Sequence, residues 1–153
     1  MEINIRKATE ADFPAIMGLI RELASFENGL HRVKNTVEQM HEERDYFHCY
    51  LAEKDGEVIG MSLYFFAYYT WVGKTLYLDD LYVKEEYRGN KIGSQLMQKM
   101  IDVAKAEKCN RLRLQVLHWN ENAIEFYKKS GFTIDEEWYN CDIVDLNNTT
   151  KVF

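Results

Sequence analysis

Residues 78–94 read Leu78-Asp79-Asp80-Leu81-Tyr82-Val83-Lys84-Glu85-Glu86-Tyr87-Arg88-Gly89-Asn90-Lys91-Ile92-Gly93-Ser94. An apolar strand ending at Val83 passes through a short acidic turn into a glycine-bearing loop, and the loop opens a helix at Asn90 or Lys91. A loop of this kind aims backbone N–H groups and the positive end of a helix at an anion. Gly89 supplies a positive φ or a close backbone approach, Gly93 keeps the first turn bare, and Arg88 offers a charge-assisted contact. A di- or triphosphate-like group is the guest this stretch predicts. Neither the P-loop nor the G-x-G-x-x-G spacing is present.

Upstream, Ile3-Asn4-Ile5 begins a strand. Thr9 and Asp12 form a capping-box pattern before an amphipathic helix that runs to about Phe26, with Ile16, Leu19, Ile20 and Leu23 on one face and Pro14 in the first turn. Asn28-Gly29 ends it. Thr36 to about Arg44 predicts a shorter helix. The period then changes to that of strands: Tyr46–Glu53, a turn at Asp55-Gly56, Glu57–Tyr69, a turn at Val72-Gly73-Lys74, and Thr75–Val83. Downstream, the helix from the loop runs to about Glu107, with Ile92, Leu96, Met100, Val103 and Ala104 facing inward. Arg111–Leu117 alternates as a strand. Asn120 or Asn122 caps a helix through Lys129 that Gly131 stops, and Phe132 onward predicts one more strand or hairpin ending at Phe153. The order β-α-α-β-β-β-α-β-α-β gives an α+β fold of three-layer α/β type, a mixed and mostly antiparallel central sheet flanked by helices. No linker or repeat divides residues 1–153, so one domain is expected.

The 153 residues are 46% apolar and 14% aromatic, which is enough to fill a core and excludes disorder. No apolar stretch is long enough to span a membrane and no leader pattern opens the chain, so a cytoplasmic protein is expected. The net charge of −6 disfavours nucleic acid and anionic membranes as partners and favours a small cationic one. Cys49, Cys109 and Cys141 are too scattered for a disulfide framework, and Cys49 reads as a core thiol. His31, His41, His48 and His118 form no ligand spacing, so no metal is expected. The absence of G-x-S-x-G argues against a serine hydrolase.

Two stretches carry a family likeness. Val83 and Arg88-Gly89-Asn90-Lys91-Ile92-Gly93 resemble the Arg/Gln-x-x-Gly-x-Gly/Ala signature of the GNAT family of N-acetyltransferases, with Lys91 at the usual first glycine of the pair. Trp119-Asn120-Glu121-Asn122-Ala123-Ile124-Glu125-Phe126-Tyr127-Lys128-Lys129-Ser130-Gly131-Phe132 resembles its second signature. Arg21–Glu27, Tyr64-Phe65-Phe66, Thr70–Lys74 and Tyr77–Val83 resemble the branch that acetylates polyamines and thialysine. There, Leu-Glu-Asp usually stands where this chain has Leu78-Asp79-Asp80. The polyamine enzymes carry an acidic residue near the position of Tyr69, and Tyr69-Thr70-Trp71 and Val116–Asn120 are closer to the thialysine enzymes.

The resemblance implies a GNAT-like acyl-CoA acyltransferase fold with acetyl-CoA as cosubstrate and no metal. The reaction it implies is direct transfer to the primary amine of a small cation (a diamine, polyamine or lysine-like amine) in a ternary complex. Leu81, Tyr82 and Val83 would offer backbone groups to the pantetheine and the thioester carbonyl. Arg88, Gly89, Asn90, Lys91, Ile92, Gly93 and Ser94 would hold the pyrophosphate, and Asn120 would touch CoA. Tyr127 would protonate the leaving thiolate. Asp79, directly or through water, would take the amine proton, with Asp80 and Glu27 on the distal ammonium and Phe26 as an aromatic wall. Since neighbours on a strand alternate faces, at most one of Asp79 and Asp80 is expected to enter a cleft at a given spot. The relatives also imply a homodimer. Other classes stay open: an acyl-CoA-binding sensor without turnover, a nucleotide-binding α/β protein, and a protein or peptide amine acetyltransferase.

Overall fold

The computed structural model describes residues 1–148. They fall into two compact units, one spanning Met1–Gln115 and a second beginning at Val116. The first unit carries β1 (Asn4–Lys7), α1 (Phe13–Phe26), α2 (Val37–Glu42), β2 (His48–Lys54), β3 (Glu57–Tyr69), β4 (Gly73–Val83), α3 (Ile92–Ala106) and β5 (Arg111–Leu114); the second carries α4 (Glu121–Lys129). The five strands form one sheet in chain order. β1 to β4 pair antiparallel, and β5 returns parallel to β4 after α3.

Both faces of the central strands are covered, which is why β3 reads as a near-continuous apolar run rather than strict alternation. On one face Cys49, Leu51, Met61, Leu63 and Tyr82 pack with Phe13, Ile16, Met17 and Leu19 of α1 and Met40 of α2. On the other, Ala52 and Ile59 pack with Ile92 and Leu96 of α3, joined by Ile3, Ile5, Leu81 and Val83. Leu51 and Ala52 are adjacent in sequence and belong to opposite clusters, as a period of two requires. Each fully buried Leu, Ile or Met here is worth about 1.5–3 kcal/mol.

The start of α1 is held by ions as well as by packing. Arg6 donates to both carboxylate oxygens of Asp12 at 2.8 and 2.9 Å and to Glu53 at 3.0 Å, tying β1 to β2 and to the turn before α1. Those bonds hold the Asp12 carboxyl down at about 2. Asp12 also accepts from the Thr9 N–H at 2.8 Å, so the acidic half of the expected capping box is made. It closes a single 3₁₀ turn, Glu10–Asp12, and the α-helix proper starts at Phe13 with Pro14 in its first turn. Asp55 and Gly56 both have positive φ, as a type I′ hairpin needs.

Two expected elements differ. β5 stops at Leu114 instead of Leu117. From Phe132 to Asn148 there is no strand; the remainder of that expected element, residues 149–153, lies outside the described residues. Most of the large apolar residues there come as adjacent pairs, Trp138-Tyr139 and Ile143-Val144, with Ile134 and Leu146 single, all set among Asp135, Glu136, Glu137, Asp142 and Asp145. No single apolar face forms, and the pairs are left exposed. No helix among the described residues is long and apolar enough to cross a membrane.

Candidate active site

The site begins at a fault in the β3–β4 ladder. Pairing runs regularly from Gly60↔Val83 to Leu63↔Asp80, and the next pair is Tyr64↔Leu78. Asp79 is therefore the extra residue of a β-bulge, which breaks alternation and re-aims the side chains on either side of it. Strict alternation, on which the expectation of one inward aspartate rests, is therefore relaxed at this point of the strand. Burial, then the charges of Asp79 and Glu27, raise the Asp80 carboxyl to about 7. Burial and Asp79 raise Glu27 as well, and burial raises Asp79 even though its outer side is exposed. Glu27 directly follows the last turn of α1, where the helix dipole also disfavours a negative charge. Three carboxylates partly desolvated together, with the charge of Asp79 bearing on both Asp80 and Glu27, make a site for a cation.

Phe26, the expected aromatic wall, is exposed at the end of α1 with the Arg88 guanidinium 5.5 Å from its ring centroid. Arg88 also lies 5.4 Å from the Tyr82 ring, and its Nε donates to the Val83 carbonyl at 2.9 Å. The structure thus uses Arg88 to strap the loop onto β4, between two aromatic contacts.

The second feature is an open strand edge. β5 pairs with β4 only over Thr75–Leu78, so from Asp79 onward β4 has no partner strand on that side among the described residues. Lys84 N–H donates to the Ile59 carbonyl at 2.9 Å. Counting back along the antiparallel ladder, the N–H groups of Tyr82 and Asp80 also face β3, and those of Leu81 and Val83 face the open side. Of the three residues expected to offer backbone groups, Tyr82 contributes its buried ring instead of its amide. Gly60 keeps this edge in place: a Cβ there would stand 2.9 Å from the Tyr82 carbonyl oxygen, a backbone atom that cannot give way without moving β4.

The loop after β4 is set by its own bonds. Asn90 Nδ2 donates to the Tyr87 and Arg88 carbonyls at 3.0 and 3.4 Å. Gly89 has φ +82°, with open space where its Cβ would be, so its role is conformational freedom. Lys91 has φ +61°, left-handed, and serves as the N-cap of α3. This explains why a glycine is usual there: the backbone demands it, and lysine holds the same shape at a cost. The first bond of α3 is Gln95 N–H to the Lys91 carbonyl at 3.0 Å, leaving the N–H groups of Ile92, Gly93 and Ser94 at the helix mouth. The Ile92 side chain is buried in the core and fixes that mouth. Lys91→Gly is expected to raise stability by about 1 kcal/mol, the left-handed penalty removed. Urea unfolding measures it, and a loss of stability would mean that the lysine side chain holds the loop more than its backbone strains it.

In the second unit, Asn120 caps α4 by accepting from the Ala123 N–H at 3.2 Å, so its side-chain oxygen is engaged by the helix. Tyr127 is half-buried, with its ring edge-on to Phe126 and Phe132 at 5.6 and 5.7 Å. Its carbonyl accepts from the Phe132 N–H at 3.0 Å, which fixes the last turn and hence the ring. Tyr77 was not singled out from sequence. Its hydroxyl is pushed up to about 12 by burial and Asp79 and drawn back by Arg113. Its signal was positional: two residues before Asp79 on the same strand. Among the described residues no group of three or more His, Cys, Asp or Glu side chains could hold a metal ion.

The sequence model of the acetyltransferase (GNAT) family matches residues 13–132. A thialysine N-epsilon-acetyltransferase from Mus musculus is 42% identical over 150 residues, covering 88% of each chain. Its counterpart from Bos taurus is 41% identical over 152 residues, covering 90% of this chain and 89% of its own. A spermine/spermidine N(1)-acetyltransferase from Bacillus subtilis is 26% identical and covers 90% of this chain and 91% of its own. Among solved structures, an aminoglycoside acetyltransferase from a soil metagenome superposes with a TM-score of 0.77 at 16% identity, over 92% of this chain and 95% of that one. With its loop, its interrupted ladder and these likenesses in agreement, the chain belongs to the acetyltransferase (GNAT) family.

Proposed function

We propose that this acetyltransferase moves an acetyl group from acetyl-CoA to the primary amine of a small cationic substrate, of the diamine, polyamine or lysine-like class that includes thialysine. The observation that carries the reading is the convergence of Glu27, Asp79 and Asp80 at a bulge beside an open strand edge. The family match runs through both units, from 13 to 132, and supports reading them as one acetyltransferase domain. By the same resemblance the assembly is a homodimer.

The residues present fit the cosubstrate. The outward N–H groups of Leu81 and Val83 suit the pantetheine amides and the acyl oxygen. The loop from Arg88 to Ser94, with amides at the mouth of α3, suits a pyrophosphate. Bound there, acetyl-CoA supplies an activated thioester. The remaining work falls to the chain. At neutral pH only about one in a thousand lysine-like amines is unprotonated, so a carboxylate must hold the ammonium and take its proton. Asp79, exposed at the bulge, meets the entering ammonium first and passes the proton on directly or through water. Asp80, titrating at about 7, is far better matched to proton transfer at neutral pH than an ordinary aspartate. Glu27 completes the cationic subsite, with Phe26 beside it. As the new C–N bond forms and the C–S bond breaks, a positioned N–H on β4 receives the developing oxyanion, and the Tyr127 hydroxyl protonates the departing sulfur.

The test is thiol release from acetyl-CoA by the purified protein with spermidine, putrescine, lysine, thialysine or a lysine peptide supplied singly. Amine-dependent release is expected with at least one of the small amines. If acetyl-CoA binds and no amine raises release above background, the non-catalytic acyl-CoA sensor takes its place. Release with the peptide alone would move the activity to protein amines.

A further inference from the structure

The loop that enters α3 is tied to the β2–β3 hairpin. Glu57 opens β3 directly after the Asp55-Gly56 turn, and its carboxylate reaches the chain that leaves β4. Oε2 accepts from the Tyr87 hydroxyl at 3.1 Å, and Oε1 accepts from the Lys84 ammonium at 3.4 Å. Lys84 and Tyr87 bracket the 3₁₀ turn Glu85–Tyr87, and the Tyr87 N–H donates back to the Lys84 carbonyl at 3.0 Å. One carboxylate therefore spans both ends of that turn.

The connection continues into the loop itself. The Tyr87 ring packs against the cluster of Ile59, Ile92 and Leu96, so ring and hydroxyl are each anchored. The Tyr87 carbonyl accepts from Asn90 Nδ2 at 3.0 Å. Asn90 stands between Gly89 at φ +82° and Lys91 at φ +61°, the two left-handed residues that shape the loop. Left-handed backbone at a lysine persists only where its surroundings over-determine it. A loop already held in that shape loses less entropy when an anion arrives. Exposed bonds of this kind contribute little to global stability, and their effect falls on the order of the loop. The Lys84 ammonium balances the Glu57 charge, so the strap adds little repulsion toward a phosphate.

We infer that Glu57 is a positioning residue for this loop, fixing through Tyr87 and Asn90 the geometry that receives the pyrophosphate of CoA. This rests on the acetyl-CoA reading above. The part of Glu57 is to hold the amides at the mouth of α3 in place, not to meet the cosubstrate.

The experiment compares the wild-type protein with Glu57→Ala, Glu57→Gln and Tyr87→Phe. Calorimetric Kd values are measured for CoA and for S-acetylpantetheine, which has no pyrophosphate. Glu57→Ala and Tyr87→Phe should each weaken CoA about fivefold, the worth of one hydrogen bond, and leave S-acetylpantetheine within about twofold of wild type. KM for acetyl-CoA should rise alike while kcat holds. Glutamine keeps an oxygen for the Tyr87 hydroxyl, so Glu57→Gln should bind CoA within about twofold of wild type. In the free proteins the amides of residues 89–94 should exchange about fivefold faster in Glu57→Ala and Tyr87→Phe, with α1 unmoved. An unchanged Kd for CoA in both of those variants, an equal loss with S-acetylpantetheine, or a Glu57→Gln as weak as Glu57→Ala overturns the assignment. If the wild-type protein does not bind CoA, the acetyl-CoA reading fails by itself, and the exchange rates decide whether Glu57 orders the loop.

Discussion

Asp80→Asn is expected to lower kcat/KM for amine acetylation by about 100-fold or more while making the protein more stable. The two effects share a cause. In the folded chain burial, Asp79 and Glu27 raise the Asp80 carboxyl from an ordinary aspartate value to about 7. Between about pH 4 and 7 the folded state therefore holds a proton that the unfolded chain has released, and stability falls as pH rises through that window. Asparagine carries no such penalty. Above pH 7 the variant should gain on the order of 2 kcal/mol, and the gain should shrink toward pH 4. Activity runs the opposite way: Asp80 must ionise to accept a proton, so wild-type turnover should rise through about pH 7, and that limb should vanish in the variant. Denaturant titrations at pH 5 and 8, with pH–rate profiles, decide it. Unchanged turnover, or a variant less stable at pH 8, would sink the assignment.

Tyr127→Phe is expected to reduce kcat by about 10²–10⁴-fold, the usual contribution of a positioned acid. Phenylalanine keeps the edge-on contacts to Phe126 and Phe132, so the loss should come without unfolding. A leaving-group test separates proton donation from packing. An acetyl thioester of a more acidic thiol needs less help to depart, so the variant's deficit should shrink with it. An equal deficit on both thioesters would assign Tyr127 a structural part only.

The sequence made some of this legible because the information was local. The apolar stripe Ile92, Leu96, Met100 and Ala104, the Asp55-Gly56 turn and the loop into α3 each carry their own periodicity or turn chemistry, and each formed as read. The aspartate pair was equally visible, yet its geometry was not. A bulge is a relation between two strands, and nothing in Leu63-Tyr64 or Leu78-Asp79 announces that one residue will be skipped. Likewise, which of Leu81, Tyr82 and Val83 turns its N–H outward depends on the register of β3. Lys91 stands out in the sequence as a lysine at a usual glycine, but its consequence, a left-handed backbone angle, is visible only in the folded loop.

The bulge also has an evolutionary consequence. Pairing on either side of Asp79 is already in register, Leu63 with Asp80 and Tyr64 with Leu78. Loss of the single codon for Asp79 would close the ladder without sending any core residue to the wrong face. The sheet and its two apolar layers would survive, and the crowding of carboxylates would not. Deletion of Asp79 is thus expected to leave a folded scaffold that has lost its cluster of three carboxylates, a change one residue wide that circular dichroism would not see.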